Sequence, residues 1–200
     1  MLIERIEPGN LLLSLPDDDE ATKIAISVMQ KLHKPIEDNS AFPTVAMWLM
    51  GFKRLYKRFD GDTGPFPKKI IARADQLSQE LLQSSGKNVL LHGDLHHYNI
   101  LFSKHDSWLA IDPKGVIGEA EYEIGALMKN PMPRLMASKN LNNLFSRRID
   151  IITEMTGFDR QRITSWSFLN AVLSAWWTFE SGSSDIKPLL ICAEALIGNI

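Results

Sequence analysis

Residues 89–111 constrain the fold more than any other part of this 200-residue chain. Three short apolar runs, Val89-Leu90-Leu91-His92, Asn99-Ile100-Leu101-Phe102 and Trp108-Leu109-Ala110-Ile111, alternate there with polar turns, which is the pattern of small strands. The last two, joined through Lys104-His105-Asp106, predict a hairpin. The stretches on either side keep helical periodicity. The expectation is therefore a mostly helical α+β fold with one small β-hairpin seated on a helical mass. Turns between such strands would be exposed at one edge, where a rigid scaffold can aim polar side chains.

Residues 1–6 read as a short strand stopped by Pro8-Gly9. Asp17-Asp18-Asp19-Glu20 then opens a helix, with Asp17 as its cap and acids in its first turn. Ala21, Ile24, Ala25, Val28, Met29 and Leu32 keep helical spacing up to Pro35. A second helix follows from Trp48, Leu49, Phe52, Leu55, Tyr56 and Phe59. A third follows from Ile70, Ile71, Ala74, Leu77, Leu81 and Leu82, ended by Ser84-Ser85-Gly86. After Gly115 and Gly118 the spacing turns helical again over 121–129, 140–156, 162–180 and 186–198. Leu169 to Phe179 is apolar almost all round, which predicts a central buried helix. Asp60-Gly61-Asp62-Thr63-Gly64-Pro65 reads as a flexible loop.

Bulk properties narrow the function classes. A formal charge of −2 with no basic run argues against a general nucleic-acid binder. The single cysteine, Cys192, excludes an internal disulfide and a thiolate metal cluster, and its apolar neighbours make it a core residue. No apolar run reaches the roughly 20 residues needed to span a bilayer. The start has no basic stretch before a long apolar core, so a cytoplasmic location is the expectation.

Chemistry concentrates in His92-Gly93-Asp94-Leu95-His96-His97-Tyr98-Asn99 and in Ile111-Asp112-Pro113. A carboxylate and a carboxamide stand five residues apart, and a second carboxylate follows thirteen residues after the asparagine. Phosphoryl transfer from a nucleotide uses such a set: an acid facing the acceptor hydroxyl, and oxygen ligands for the magnesium ions on the phosphates. Asp94 would orient the hydroxyl, while Asn99 and Asp112 would hold metal. His92 reads as a scaffold residue hydrogen-bonded to backbone, His96 as a phosphate contact, and His97 as exposed structure. In the cluster Glu119, Glu121 and Glu123, the first would fix the loop after the metal site. The other two read as a helix start, the alternative being attraction of a cationic substrate. Fragments of metal-dependent phosphoesterases look similar, but their further Gly-Asn-His and Asp-x-His segments are missing here.

The Asp-x-x-x-x-Asn spacing matches the catalytic loop of protein kinases. More specifically, His92 to Phe102 and Trp108 to Glu119 resemble the aminoglycoside/hydroxyurea antibiotic resistance kinase family, the streptomycin 6-phosphotransferase-like group. The shared patterns are His-Gly-Asp-Leu-His-x-x-Asn-Ile-Leu and Ile-Asp-Pro-x-Gly-x-x-Gly-Glu. The resemblance implies a protein-kinase-like fold, ATP and Mg2+ as cofactors, and transfer of the γ-phosphoryl group to a hydroxyl of an aminoglycoside-like antibiotic or related small, cationic molecule. Carried over by position, Asp94 and His96 are catalytic and Asn99 and Asp112 bind metal. Backbone at Glu4 and Ile6 would meet the adenine, with Leu101 and Ile111 as its apolar wall.

In this reading residues 1–8 are a hinge-like strand and 9–200 the large lobe, with no N-terminal β-lobe, Gly-rich strand-turn or strand lysine before it. A truncated, non-catalytic lobe or half of a split enzyme is the alternative. The edge around Ile3, Ile6, Leu101 and Ile111 would then be exposed, inviting a separate N-lobe fragment or self-association.

Overall fold

The computed structural model describes residues 5–36 and 41–198. The first half of the chain forms β1 (Pro8–Leu11), α1 (Asp18–Leu32), β2 (Lys34–Pro35), α2 (Val45–Leu49), α3 (Gly51–Arg58) and α4 (Lys68–Gln83). Four strands follow: β3 (Asn88–Leu91), β4 (Ile100–Ser103), β5 (Ser107–Ala110) and β6 (Val116–Glu119). The rest is helical: α5 (Ile124–Met128), α6 (Met132–Met136), α7 (Leu141–Thr156), α8 (Arg160–Glu180) and α9 (Lys187–Ile197).

Local chemistry accounts for most of these elements. Asp17 Oδ1 accepts from the backbone N–H groups of Asp19 and Glu20 at 2.9 and 3.2 Å, capping α1. Asn140 and Asp159 cap α7 and α8 in the same way. The central helix is α8: Trp166, Phe168, Leu169, Val172 and Leu173 are at most 1% exposed. Helices α3, α4, α5, α7 and α9 pack around it. Cys192 of α9 belongs to this core, and burial pushes its thiol up to about 11, far from a reactive thiolate. Among the described residues, no helix is long and apolar enough to cross a membrane.

The strands form more than a hairpin. β4 and β5 pair antiparallel as predicted, with Leu101 opposite Leu109 and Phe102 opposite Trp108, whose rings lie 5.3 Å apart. β1 adds to β4, giving the sheet order β1-β4-β5. A second antiparallel sheet has the order β2-β3-β6. β6 was not expected, because Gly115 and Gly118 look like turn punctuation. Gly118 is instead needed inside the strand: a Cβ there would lie 2.5 Å from Val45 Cγ2 of α2.

Two further expectations are corrected. Residues 5 and 6 are not in a strand, and residues 1–4 lie outside the described residues; the first strand starts at Pro8, where sequence alone placed its end. An edge strand tolerates a proline at its start because the missing N–H is not needed there. The second predicted helix is broken at Met50 into α2 and α3.

The chain leaves the second sheet at the end of β3, crosses to β4 through residues 92–99, and returns from β5 to β6 through residues 111–115. These crossings run side by side. His92 O accepts from the N–H groups of Lys114 and Gly115 at 2.8 and 3.2 Å, and Asn99 O accepts from Ile111 N–H at 2.9 Å. Both polar loops singled out above are thus joined near each end.

Candidate active site

Gly93 turns the first loop with φ 84°, and a Cβ there would sit 2.9 Å from Trp48 Cη2. Beneath it, the buried Glu123 carboxylate accepts from the N–H groups of His92 at 2.6 Å and Gly93 at 2.9 Å. Burial pushes the Glu123 carboxyl up to about 7, against the backbone donors that pull it down. Glu123 is therefore a loop anchor.

His92 joins the two crossings. Its Nδ1 accepts from Asp94 N–H at 3.2 Å, so the proton sits on Nε2, which donates to Ile111 O at 2.8 Å. Burial lowers its pKa, so the ring stays neutral and the network keeps one tautomer. This is the scaffold geometry expected for it.

Asp94 stands half-buried after the turn, with Oδ1 3.4 Å from His96 Nε2. Burial raises its pKa, but His96 and the ammonium groups of Lys129 and Lys114 outweigh that and hold it below the ordinary value. It is an anion at neutral pH. Asn99 donates from Nδ2 to Asp94 O at 2.9 Å, so its Oδ1 is not used in that bond. Asp112 adopts a left-handed backbone (φ 59°), is largely exposed, and meets Lys114 Nζ at 2.8 Å.

Asp94 and His96 line a cavity of about 540 Å³. Trp48 and Trp177 also line it, edge to face at 5.5 Å, as do Lys114, Lys129 and Asn170. Asn99 and Asp112 do not line this cavity. They stand on adjoining backbone: Asn99 O accepts from Ile111 N–H, and Asp112 is the next residue after Ile111. A carboxamide and a carboxylate oxygen suit a hard, largely hydrated ion such as Mg2+. The ammonium of Lys114 already sits on the Asp112 carboxylate, so that group does face a cation.

The remaining predicted residues divide. Leu101, Leu109 and Ile111 share one hairpin face by the two-residue period, with Leu11 of β1 across from Leu101. Leu101, Ile111 and Ile6 are half-buried, so part of each remains exposed. Ile6 precedes β1, and no described contact joins it to that face; Glu4 and Ile3 lie outside the described residues.

Glu119 does not hold the loop after Asp112. It is buried at the end of β6, where it accepts from Gly86 N–H, from Arg162 at 2.8 and 2.6 Å, and from Trp166 Nε1 at 2.8 Å. It ties the sheet to α8. Neither Glu121 nor Glu123 lines the cavity, which removes them as attractors of a cationic substrate.

Sequence reasoning missed three groups. Lys129 lines the cavity, although in the sequence it looks like a lysine ending a short helix. Arg148, fully buried, grips Asp18 with Nε and Nη2 at 2.8 and 2.6 Å. Its Nη1 donates to Leu127 O and Asn130 O at 2.9 and 2.8 Å, clamping the segment that carries Lys129. His97, expected exposed, is fully buried, and among the described residues neither of its ring nitrogens has a hydrogen-bond partner. Burial, then the Arg148 charge, pushes its pKa down to about 3.

That depression has a sign. The unfolded chain takes up the His97 proton near pH 6.5, whereas the folded chain does so only near 3. The stabilising contribution is complete above the unfolded value and is lost as pH falls from there toward the folded one. Glu123, raised to about 7, works the opposite way between that value and its ordinary pKa of about 4.3. Comparing His97→Asn with the parent cancels the Glu123 contribution. Urea melts should show the variant losing stability less steeply between about pH 6 and 4, by up to about 1.4 kcal/mol per pH unit. Parallel curves would mean that His97 is protonated in the folded state.

Comparison with known proteins adds a family and a fold. The family model described as aminoglycoside/hydroxyurea antibiotic resistance kinase matches residues 1–182. The chain is 27% identical over 210 residues to streptomycin 6-kinase of Streptomyces glaucescens, covering 100% of this chain and 65% of that protein. It is 32% identical over 204 residues to hydroxyurea phosphotransferase of Kitasatospora aureofaciens, covering 99% of this chain and 56% of that one. The chain thus spans less than two thirds of the length of these relatives. Among solved structures it is similar to choline kinase LicA from Streptococcus pneumoniae, with a TM-score of 0.63 at 14% identity, over 98% of this chain and 69% of that one. LicA has also been solved in complex with AMP. At that identity the likeness establishes the α+β, kinase-like fold.

Proposed function

We propose, from the premise that this chain belongs to the aminoglycoside/hydroxyurea antibiotic resistance kinase family, that it carries the phosphoryl-transfer site of a small-molecule kinase. The observation that carries the reading is the stitching of residues 92–99 to 111–115, with Asp94 lining the cavity and Asn99 and Asp112 on adjoining backbone outside it. The reaction moves the γ-phosphoryl group of ATP to a hydroxyl of a small molecule of the kind that family names. Residues 9–200 act as the large lobe of a kinase, and residues 1–8 as its hinge.

Asp94 accepts a hydrogen bond from the acceptor hydroxyl and aims its oxygen. Because the transition state of phosphoryl transfer is loose, orientation matters more than proton removal. Glu123 and His92 keep the loop rigid, so little reorganisation is needed as the hydroxyl settles. His96 lines the cavity beside Asp94 and would contact the transferred group. Asn99 and Asp112 would hold Mg2+, which supplies charge neutralisation on the phosphates. The Leu101 and Ile111 face would lie under the adenine, and the backbone at Glu4 and Ile6 would meet its edge. LicA in complex with AMP supports a nucleotide in this fold.

Calorimetry with ATP tests the metal assignment. Asp112→Ala is expected to weaken magnesium-dependent nucleotide binding by roughly 10-fold or more, since even groups that only support a metal ligand cost 10–100-fold. Asp94→Ala should weaken it far less, because that side chain serves the acceptor. If Asp112→Ala binds ATP and magnesium as the parent does, the assignment is wrong.

A further inference from the structure

We infer that a second cavity, between α3 and the C-terminal turn of α8, is a ligand site for a planar molecule carrying one negative group. It is separate from the cavity beside Asp94, and it does not rest on the kinase reading.

The two cavities lie on opposite faces of one helix. Ser174, Trp177 and Thr178 of α8 line the one beside Asp94. Trp176, Phe179 and Glu180 line the other, which has a volume of about 640 Å³. At about 3.6 residues per turn these two sets fall on opposite sides of α8. The second cavity takes its other wall from α3, through Arg54, Lys57 and Arg58. That helix is short and two-faced: Phe52 and Leu55 are buried, whereas Lys53, Arg54, Lys57 and Arg58 are exposed. Packing its apolar face into the core leaves the basic face on the cavity side. Gly182, with φ 95°, turns the chain after α8, and Ser183 and Ser184 join the lining.

The lining sets what fits. Among the described residues its charged groups are three cations, Arg54, Lys57 and Arg58, and one carboxylate, Glu180. Arg54 engages Glu180 as a fork, Nε to Oε1 at 2.8 Å and Nη2 to Oε2 at 3.1 Å, which fastens α3 to α8. Lys57 and Arg58 carry the surplus, so a carboxylate, sulfonate or phosphate between them would gain charge-assisted hydrogen bonds. An ammonium group there would meet the same surplus as repulsion. The apolar part of the lining is aromatic. Trp176 and Phe179 stack at 6.2 Å with planes 26° apart, and Phe66 and Phe59 lie 5.8 and 5.5 Å from Phe179. Phe179 is half-buried, so a flat ring can cover what water now touches. Trp176 adds an orphan donor: it is 2% exposed, and its Nε1 has no acceptor among the described residues. That edge of the indole faces α3, where a Cβ at Gly51 would lie 3.1 Å from Cδ1 and 3.6 Å from Nε1. Gly51, Arg54 and Arg58 share one face of α3 by helical period. The donor edge therefore lies toward the helix face that carries the guanidinium groups. A buried N–H without an acceptor is costly, and a ligand oxygen reaching it would relieve that.

Calorimetry on the full chain with naphthoate, naphthylmethanol and naphthylmethylamine, all substituted at the same ring carbon, separates charge from ring. Inorganic phosphate tests the anion without a ring. Naphthoate should bind best, by about 5- to 10-fold over the amine, the scale of one or two partly exposed charge pairs. Phosphate should bind more weakly than naphthoate. Lys57→Gln combined with Arg58→Gln should abolish the preference, and Lys57→Glu combined with Arg58→Glu should reverse it. Both residues are exposed, so circular dichroism of these variants should match the parent. The place of binding is read from the indole N–H resonances. The Trp176 signal, identified by its loss in Trp176→Phe, should move on adding naphthoate, while that of Trp48, in the other cavity, stays. The inference is overturned by no binding of naphthoate, by equal or tighter binding of the amine or of phosphate, or by a preference that survives the double glutamine variant. Movement of the Trp48 signal in place of the Trp176 signal overturns it as well. Phosphoryl transfer from ATP is a separate measurement, so failure here leaves the kinase reading standing, and the reverse.

Discussion

Replacing Asp94 with alanine is expected to cut ATP-dependent phosphoryl transfer by roughly 10²–10⁴-fold, the usual scale for a positioned acid–base group. The loss should fall mainly on kcat. The loop is held by groups other than the Asp94 side chain: Glu123 takes the His92 and Gly93 N–H groups, and His92 Nδ1 takes the Asp94 backbone N–H. Alanine therefore removes the carboxylate without collapsing the turn. Asp94→Asn is the sharper test, because it keeps shape and a hydrogen-bonding oxygen but loses charge. Single-turnover phosphorylation of a hydroxylated acceptor would measure both variants. A parent-like rate in Asp94→Ala would remove Asp94 from the reaction.

The second large effect is on stability. Arg148→Met should destabilise the fold by about 3–5 kcal/mol, the cost of breaking a buried ion pair from one side. Three consequences add up. Asp18, mostly buried, loses its partner; its carboxyl is now pushed up by burial but held below its ordinary value by Arg148. The carbonyls of Leu127 and Asn130 lose their donor. The α1–α7 contact loses its buried polar anchor, leaving the exposed Arg147–Asp19 pair and the Gln30–Met155 bond. Asp18→Asn combined with Arg148→Met should recover part of the loss, since a neutral pair carries no uncompensated charge. Urea unfolding measures this, and a loss under about 1 kcal/mol would show that water replaces the clamp. The folded Arg148 variant should also bind acceptors more weakly, because Lys129 sits inside the clamped segment.

Both effects turn on groups of differing legibility. Asp94, Asn99 and Asp112 stood out in the sequence by residue type and close spacing; that Asp94 lines the cavity while Asn99 and Asp112 do not is a tertiary outcome. The Asp17 cap of α1 and the helical periods of α1, α4, α7 and α8 were legible because helix signals are local. The β4–β5 hairpin needs only a three-residue connection. β6 was hidden because Gly118 has two physical meanings, a turn or a close approach, and only the position of Val45 selects the second. His97 could not be assigned, since its neighbours in sequence are polar and its neighbours in space come from α1, α6 and α7. Glu119 looked like part of the loop and is an anchor to α8.

By itself, then, the sequence determined the chemistry available on the two loops, the family and the helical segments, all set by short-range patterns of charge, capping and apolar period. The tertiary structure decided which carboxylates face the cavity, which are buried as anchors, and that Lys129 lines the cavity with Asp94. Those outcomes depend on desolvation and on partners far away along the chain, such as Asp18 and Arg148, 130 residues apart. A side chain's charge is written in its own position, but its cost and its use are set by what packs around it.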